Sequence, residues 1–351
     1  MIALWFAIAS ITVTLYVVLD GFDLGAGALH LLVARNDAER RQVLAAIGPF
    51  WDGNEVWLLA TGGILFVAFP AVLASALSGF YLAIILVVWC LMLRGIAIEF
   101  RSHVADRLWR AAWDVVFALA STLLCIFLGA ALGNLLRGVP LDATGWFALT
   151  LFTDWSARAP VGILDWYTVL VGLFALLALA GHGGAWLAFR TDGAVHERAR
   201  RLGRALLAVV ALLWVPVTIA TGFVNRDFGA ALAGRPIVWA GGACALAGLA
   251  TALRDLAPGR GERAGRAFAG SCAFLAGILA ATAAGMWPVM LRATGDPAVA
   301  ITAHAAATSP AGLRAALGWW VFAFPLAIGY LAILFRVHRG KAVAAADGEG
   351  Y

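Results

Sequence analysis

A chain of 351 residues is long enough for two soluble domains, but 63% hydrophobic and 13% charged residues, with a mean hydropathy of +0.90, exclude that class and place it in a bilayer. The net charge of +5 does not point to nucleic acid, because the basic residues fall in short clusters between long apolar runs and form no stripe for phosphates. Cys90, Cys125, Cys244 and Cys272 lie inside apolar segments without a CxxC pair, so they read as small interior residues and imply neither zinc nor a disulfide frame.

An apolar run of about 18 residues or more reads as a membrane-spanning helix. The runs predict an all-α polytopic protein of nine transmembrane helices, at about 3–32, 43–69, 72–98, 112–136, 161–189, 204–224, 236–254, 265–289 and 315–337. They form one integral membrane domain over 1–339, followed by a flexible polar tail at 340–351. The opening stretch MIALWFAIASITVTLY lacks a basic leader and a small-residue cleavage site, so it reads as a retained first span.

In the first helix, VLDGFDLGAG places Asp20 and Asp23 three residues apart on one face. In the second, FWDGNEVW repeats that spacing with Asp52 and Glu55. Both pairs lie about 16–18 Å along their helices from the arginines of the connecting loop, so all four acids are expected in one layer near the middle of the hydrocarbon core. A carboxylate there costs roughly 2.5–3.5 kcal/mol, and desolvation with crowding favours some protonated members, the condition for relaying protons. The competing reading is that they only hydrogen-bond neighbouring helices. Trp51 and Trp57 flank this layer as packing around a polar path or as plain core. The third helix ends in RGIAIEFR, where Arg94 and Arg101 share a face with Glu99 nearby. These arginines are candidates to pair the acidic layer or a partner's cofactor, against ordinary anchoring at the membrane edge.

Basic residues alternate from loop to loop. Arg35, Arg40 and Arg41, the Arg94–Arg110 group, the Arg190–Arg204 group, the Arg254–Arg266 group, and Arg336, Arg339 and Lys341 fall on one side. The other side holds only Arg137, Arg158, Arg226, Arg235, Arg292 and Arg314. The positive-inside rule then puts the N-terminus in the periplasm and the C-terminus in the cytoplasm. The outer loops after the fourth and eighth helices are the longest and suit a cap or a partner contact.

Haem in membranes is held by axial His or Met, and only His182 falls well inside a span. His30, His103, His196 and His338 fall at cytoplasmic ends and His304 in an outer loop. No facing pair is expected, and His182 reads as a hydrogen-bonded interior residue. No phosphate loop, HExxH or nucleophile motif occurs.

The segments GFDLGAGAL (21–29), IGPFWDGNEVWLLATGGILFVAFP (47–70), SGFYLAIIL (78–86), RGIAIEFR (94–101) and GNLLRGVP (133–140) together resemble subunit II of cytochrome bd quinol oxidases. The likeness is strongest over 15–140 and continues more faintly through HGGAWLAFRTDG (182–193) and the MWP turn (286–288). It implies two four-helix bundles plus one peripheral helix in the bacterial inner membrane, beside a haem-bearing subunit I that holds haem b and haem d. It also implies oxidation of membrane quinol by dioxygen with protons drawn from the cytoplasm. The family's WDGN aspartate, thought to open the proton route, falls on Asp52 and the next tryptophan on Trp57; Asp20, Asp23, Glu55, Arg94 and Glu99 follow by motif position. No haem or metal ligand is implied in this chain, while a structural quinone and a small single-span subunit are further candidates. Phe50 and Glu55 replace a His and a Gln found in some members and, with RGIAIEF, look like the cyanide-insensitive branch. ITAHAAAT (301–308) departs from the aromatic-acidic pair that many members carry after the MWP turn.

Two other readings compete. A proton-coupled secondary transporter would also need midplane carboxylates, but would repeat them in its second half, and this chain does not. A scaffold whose acids merely pack would tolerate Asp52→Asn.

Overall fold

The computed structural model describes residues 1–157 and 160–343. Arg158 and the tail from 344 onward lie outside the described residues. Among the described residues the chain is all-helical apart from one two-stranded ribbon, and eight helices are long and apolar enough to cross a membrane. These are α1 (Ile2–Val33), α5 (Tyr81–Phe100), α6 (Arg107–Arg137), α7 (Trp166–Arg190), α8 (Gly193–Val224), α10 (Pro236–Asp255), α11 (Ala264–Met286) and α13 (Pro310–Val337). Shorter helices are α2 (Asp37–Ile47), α3 (Trp51–Ala68), α4 (Pro70–Gly79), α9 (Arg226–Gly234) and α12 (Ala303–Ala306).

The expected second and third helices are each divided. Gly48, Pro49 and Phe50 separate α2 from α3, since proline cannot donate into a helical ladder. Asn36 caps α2 by accepting from the Glu39 amide at 3.0 Å. The expected span 72–98 becomes α4 and α5, broken at Phe80 (φ −100°, ψ 21°). Asp52, Asn54 and Glu55 in its first turns lower the hydropathy of α3, which is not among the eight. Elsewhere the helix starts shift: α8 begins well before its expected start, at Gly193, and holds Pro216 in its interior, whereas α7 begins later than expected, one residue after Asp165, which with Thr168 closes a capping box.

α1 lies at the centre, packed on α3, α6, α7 and α11. Other strong pairs are α5 with α6, α7 with α8, and α10 with α11, while α13 rests mainly on α3. Without a hydrophobic force between helices in lipid, close backbone approach supplies the packing. A β-carbon on Gly25 of α1 would collide with the Leu179 carbonyl of α7, and one on Gly248 of α10 would stand 2.5 Å from the Phe274 amide of α11. Gly25→Ala is therefore expected to push α1 off α7 and cost about 1–3 kcal/mol, read as a lowered thermal midpoint in detergent.

The outer loops fold onto each other. The Val139 amide donates to the Arg292 carbonyl at 2.9 Å and Thr294 returns a bond to Val139 at 3.0 Å. Val139, Leu141, Phe147, Leu291 and Ala293 form a small core beneath them. Here the all-α expectation misses β1 (Val289–Leu291) and β2 (Ile301–Thr302), which pair antiparallel. At the other end the tail begins docked: the Ala342 amide donates to the Arg190 carbonyl at 2.7 Å, and Lys341 Nζ donates to the Thr191 carbonyl at 2.9 Å. Cys90 and Cys125 are interior as expected, but Cys244 is exposed on α10 and Cys272 half-buried.

Candidate functional site

Two ionic layers lie along the seam of α1, α5 and α6. In the first, the Arg94 guanidinium is fully buried with Asp20, and Asp23 is 1% exposed. Arg94 Nη1 donates to Asp20 Oδ1 at 2.6 Å and Nη2 to Glu55 Oε2 at 3.0 Å. Asn54 Nδ2 donates to Asp23 Oδ2 at 2.7 Å and to the Leu19 carbonyl at 3.3 Å. The planar fork of arginine holds two carboxylates from two helices at once, which an ammonium would not do as well. Asp20 Oδ2, Asp23 Oδ1, Asn54 Oδ1 and the Tyr16 hydroxyl are buried without a hydrogen-bond partner.

The structure thus brings together Asp20, Asp23, Glu55 and Arg94. It does not bring Asp52 into the layer: Asp52 is exposed on the outer face of α3, one turn before Glu55, whose side chain keeps 24% exposure. The shared spacing of Asp52 and Glu55 gives a common face, but α1 covers only the edge carrying Asn54 and part of Glu55. Trp57 is buried with Tyr16 and Leu331 and meets Phe324 of α13 edge-on at 6.1 Å. Trp51 is half-buried and lies against Gly95 of α5.

Sequence reasoning missed the second layer. Asp114 of α6, 1% exposed, accepts from Arg101 Nε at 2.6 Å and Arg40 Nη1 at 2.9 Å. His30 Nε2 stands 2.7 Å from its Oδ1. Arg101 therefore pairs away from the first layer, and its Nη2 also donates to Asp37 Oδ1 at 2.7 Å. His30, expected at a membrane edge, is fully buried. The available signal was the lone aspartate in RAAWDVV, an acid at the start of an apolar helix beside a run of arginines. Glu99 lies exposed at the end of α5. In the loop-facing helix α2, burial pushes the Asp37 carboxyl up, but the Arg101 hydrogen bond and the charges of Arg101, Arg110 and Arg41 outweigh it and hold it below the usual range. Glu39 is likewise held low by its hydrogen bond from Arg198.

A haem test falls on His182. The ring stacks on Phe268 at 5.1 Å, Nε2 donates to the Val18 carbonyl at 2.9 Å, and Nδ1 lies 2.7 Å from Ser271 Oγ. Both nitrogens are spent, so His182 does not fit an axial ligand. Among the described residues no group of three or more His, Cys, Asp or Glu side chains is placed to hold a metal ion.

Residues 1–338 match the family model described as cytochrome bd terminal oxidase subunit II. Among curated relatives, a probable cytochrome oxidase subunit 2 of Haemophilus influenzae is 30% identical over 323 residues, 84% of this chain and 82% of the relative. The cytochrome bd-I ubiquinol oxidase subunit 2 of Escherichia coli K12 is 30% identical over 355 residues, 94% of this chain and 92% of the relative. The Bacillus subtilis cytochrome bd ubiquinol oxidase subunit 2 is 36% identical over 208 residues, 59% of each chain. In fold, a chain of the bd oxidase from Geobacillus thermodenitrificans superposes with a TM-score of 0.72 at 18% identity, covering 96% of this chain and 98% of that one. The comparisons give the transporter reading no support. With nearly its whole length matched, the chain belongs to the cytochrome bd terminal oxidase subunit II family.

Proposed function

We propose that this chain, as subunit II of a bd-type quinol:oxygen oxidoreductase, supports the haem-bearing subunit I and leads protons from the cytoplasm toward the partner's oxygen-reducing site. The observation that carries the proton role is the first ionic layer: its one guanidinium bonds Asp20 and Glu55, a third acid, Asp23, is held only by Asn54, and the second oxygens of Asp20 and Asp23 are buried without a partner. A buried layer with one cation and three acids reaches neutrality only by holding protons, and protons so held can be passed on. Haems b and d, supplied by subunit I, would carry the electron transfer and oxygen chemistry, with membrane quinol as donor. A small single-span subunit is a further candidate partner.

The topology that suits this role has nine spans, with α3 as the ninth beside the eight longer helices. α1, α3, α5 and α6 make one bundle, α7, α8, α10 and α11 the other, and α13 is peripheral. The alternating arginines support a periplasmic N-terminus and a cytoplasmic C-terminus. An exposed aspartate at membrane depth is not left to lipid, so the face of α3 carrying Asp52, Val56 and Leu59 is assigned to subunit I. Asp52 would then be the outermost acid on a route running through Glu55 to Arg94 and Asp20. A cavity of about 530 Å³ lined by Tyr16, Leu24, Leu128, Phe174, Trp214 and Phe274 is apolar enough for the tail of a structural quinone.

The test is Asp52→Asn in the intact complex. With the haem spectrum unchanged, oxygen consumption is expected to fall by about 10²-fold or more, the usual scale for losing a positioned proton-transfer group. Unchanged consumption with intact haems would leave the scaffold reading in its place.

A further inference from the structure

Three buried polar atoms without partners lie on the seam between α1 and α6: Asp23 Oδ1, Ser121 Oγ and His30 Nδ1. On α1, Asp23, Gly27 and His30 follow the i, i+4, i+7 spacing of one helix stripe, and on α6 Asp114, Phe117 and Ser121 follow i, i+3, i+7. The helices run antiparallel, since His30 meets Asp114 while Gly27, closer to the start of α1, meets Ser121 farther along α6. Ser121 occupies the space that the missing side chain of Gly27 leaves; a β-carbon there would collide with its hydroxyl. The hydroxyl is thus midway between His30 and Asp23, which are seven residues or about 10.5 Å apart along the axis.

We propose that His30 and Ser121 form an internal proton relay that loads Asp23 from the Asp114 side, separate from the route through Asp52 to Asp20, with both protons needed in each turnover. The proposal rests on the reading of that layer as proton-conducting. Buried orphan polar atoms call for water or a mobile proton, and here three of them follow one another along a single seam. His30 can join the two layers because one ring nitrogen is bound to Asp114 and the other is buried without a partner on the seam that holds Ser121. With Asp114 held as the anion, Nε2 keeps its proton toward that carboxylate and Nδ1 is the open position; a proton taken up at Nδ1 gives an imidazolium paired with the Asp114 carboxylate. The Nδ1 proton then leaves toward the Ser121 oxygen, whose own proton passes on toward Asp23, while the Nε2 proton stays on Asp114 throughout; no bond between heavy atoms changes. Arg40 and Arg101, on α2 and at the end of α5, face the same carboxylate and hold it as the anion that receives the imidazolium. Phe117 sits edge-on to His30 with ring centres 5.2 Å apart, an apolar neighbour that confines the step to one narrow position.

The experiment uses the complete oxidase in vesicles, with a pH-indicator dye for proton uptake and haem absorbance to verify assembly. Three variants are compared: Asp23→Asn, His30→Gln, which can still donate a hydrogen bond to Asp114, and Ser121→Ala, a minimal change that keeps the helix contact. All three are expected to slow proton uptake by about tenfold or more. Slow uptake in Asp23→Asn with His30→Gln and Ser121→Ala both at the wild-type rate would overturn the relay while leaving the acidic layer's role standing. Wild-type uptake in Asp23→Asn itself would overturn both. If His30→Gln fails to assemble, Ser121→Ala decides alone.

Discussion

Asp114→Ala is expected to destabilise the chain by about 3–5 kcal/mol, the scale of breaking a buried ion pair by removing one partner, and to show as a large drop in the thermal midpoint of the purified complex. The cost comes from what is left behind. Arg101, itself 1% exposed, would keep only Asp37, and His30 and Arg40 would lose their common acceptor. The carboxylate ties α1, α2 and the end of α5 to α6, so its loss frees three elements at once. Asp114→Asn keeps the shape and one acceptor oxygen, and a smaller drop is expected. Mild acid near pH 4 should leave the separate contribution of Asp37 in place. The neighbouring Asp37 has a folded pKa below its unfolded value of about 3.9, so its stabilisation is complete above that value and is lost only as pH falls through the lower folded one.

Much of the first layer was legible because its signal is local. Acids three apart inside an apolar run have no cheap place except the interior of a membrane protein, and Arg94, deeper than the other arginines, was the natural partner. What the sequence could not supply was rotation. Asp52 and Glu55 share a face by spacing, yet only the packing of α1 against α3 decides that Asn54 turns inward and Asp52 outward. The second layer was hidden for a different reason. His30, Asp37, Arg40, Arg101 and Asp114 come from four segments, each of which alone looks like a charged membrane edge; the cluster exists only because α1 and α6 run antiparallel in register. The divided second and third helices had local cues in Gly48-Pro49 and Ser78-Gly79, which long apolar runs outweighed. The ribbon of β1 and β2 had none beyond the MWP turn, because five residues of strand leave no periodicity to detect.

Arg94→Leu is expected to have the other large effect: loss of about 3–5 kcal/mol, a drop in the haem recovered with the complex, and oxygen consumption close to background. Without the guanidinium, Asp20 and Glu55 face each other across α1 and α3 with no cation, and the layer stays neutral only by holding every proton, which under the proposed role would stop transfer as surely as losing the acids. Arg94→Lys separates charge from geometry. A single ammonium can serve Asp20 at 2.6 Å or Glu55 at 3.0 Å but has no planar fork to bridge both, so stability should recover more than turnover. The double variant Arg94→Leu with Asp20→Asn sharpens the test. If the damage comes from an unpaired buried carboxyl, removing that carboxyl should restore part of the stability, and the pair should couple by about 0.5–3 kcal/mol. Strict additivity would mean that Arg94 and Asp20 act independently despite their contact, and the layer would lose its standing as one cooperative unit.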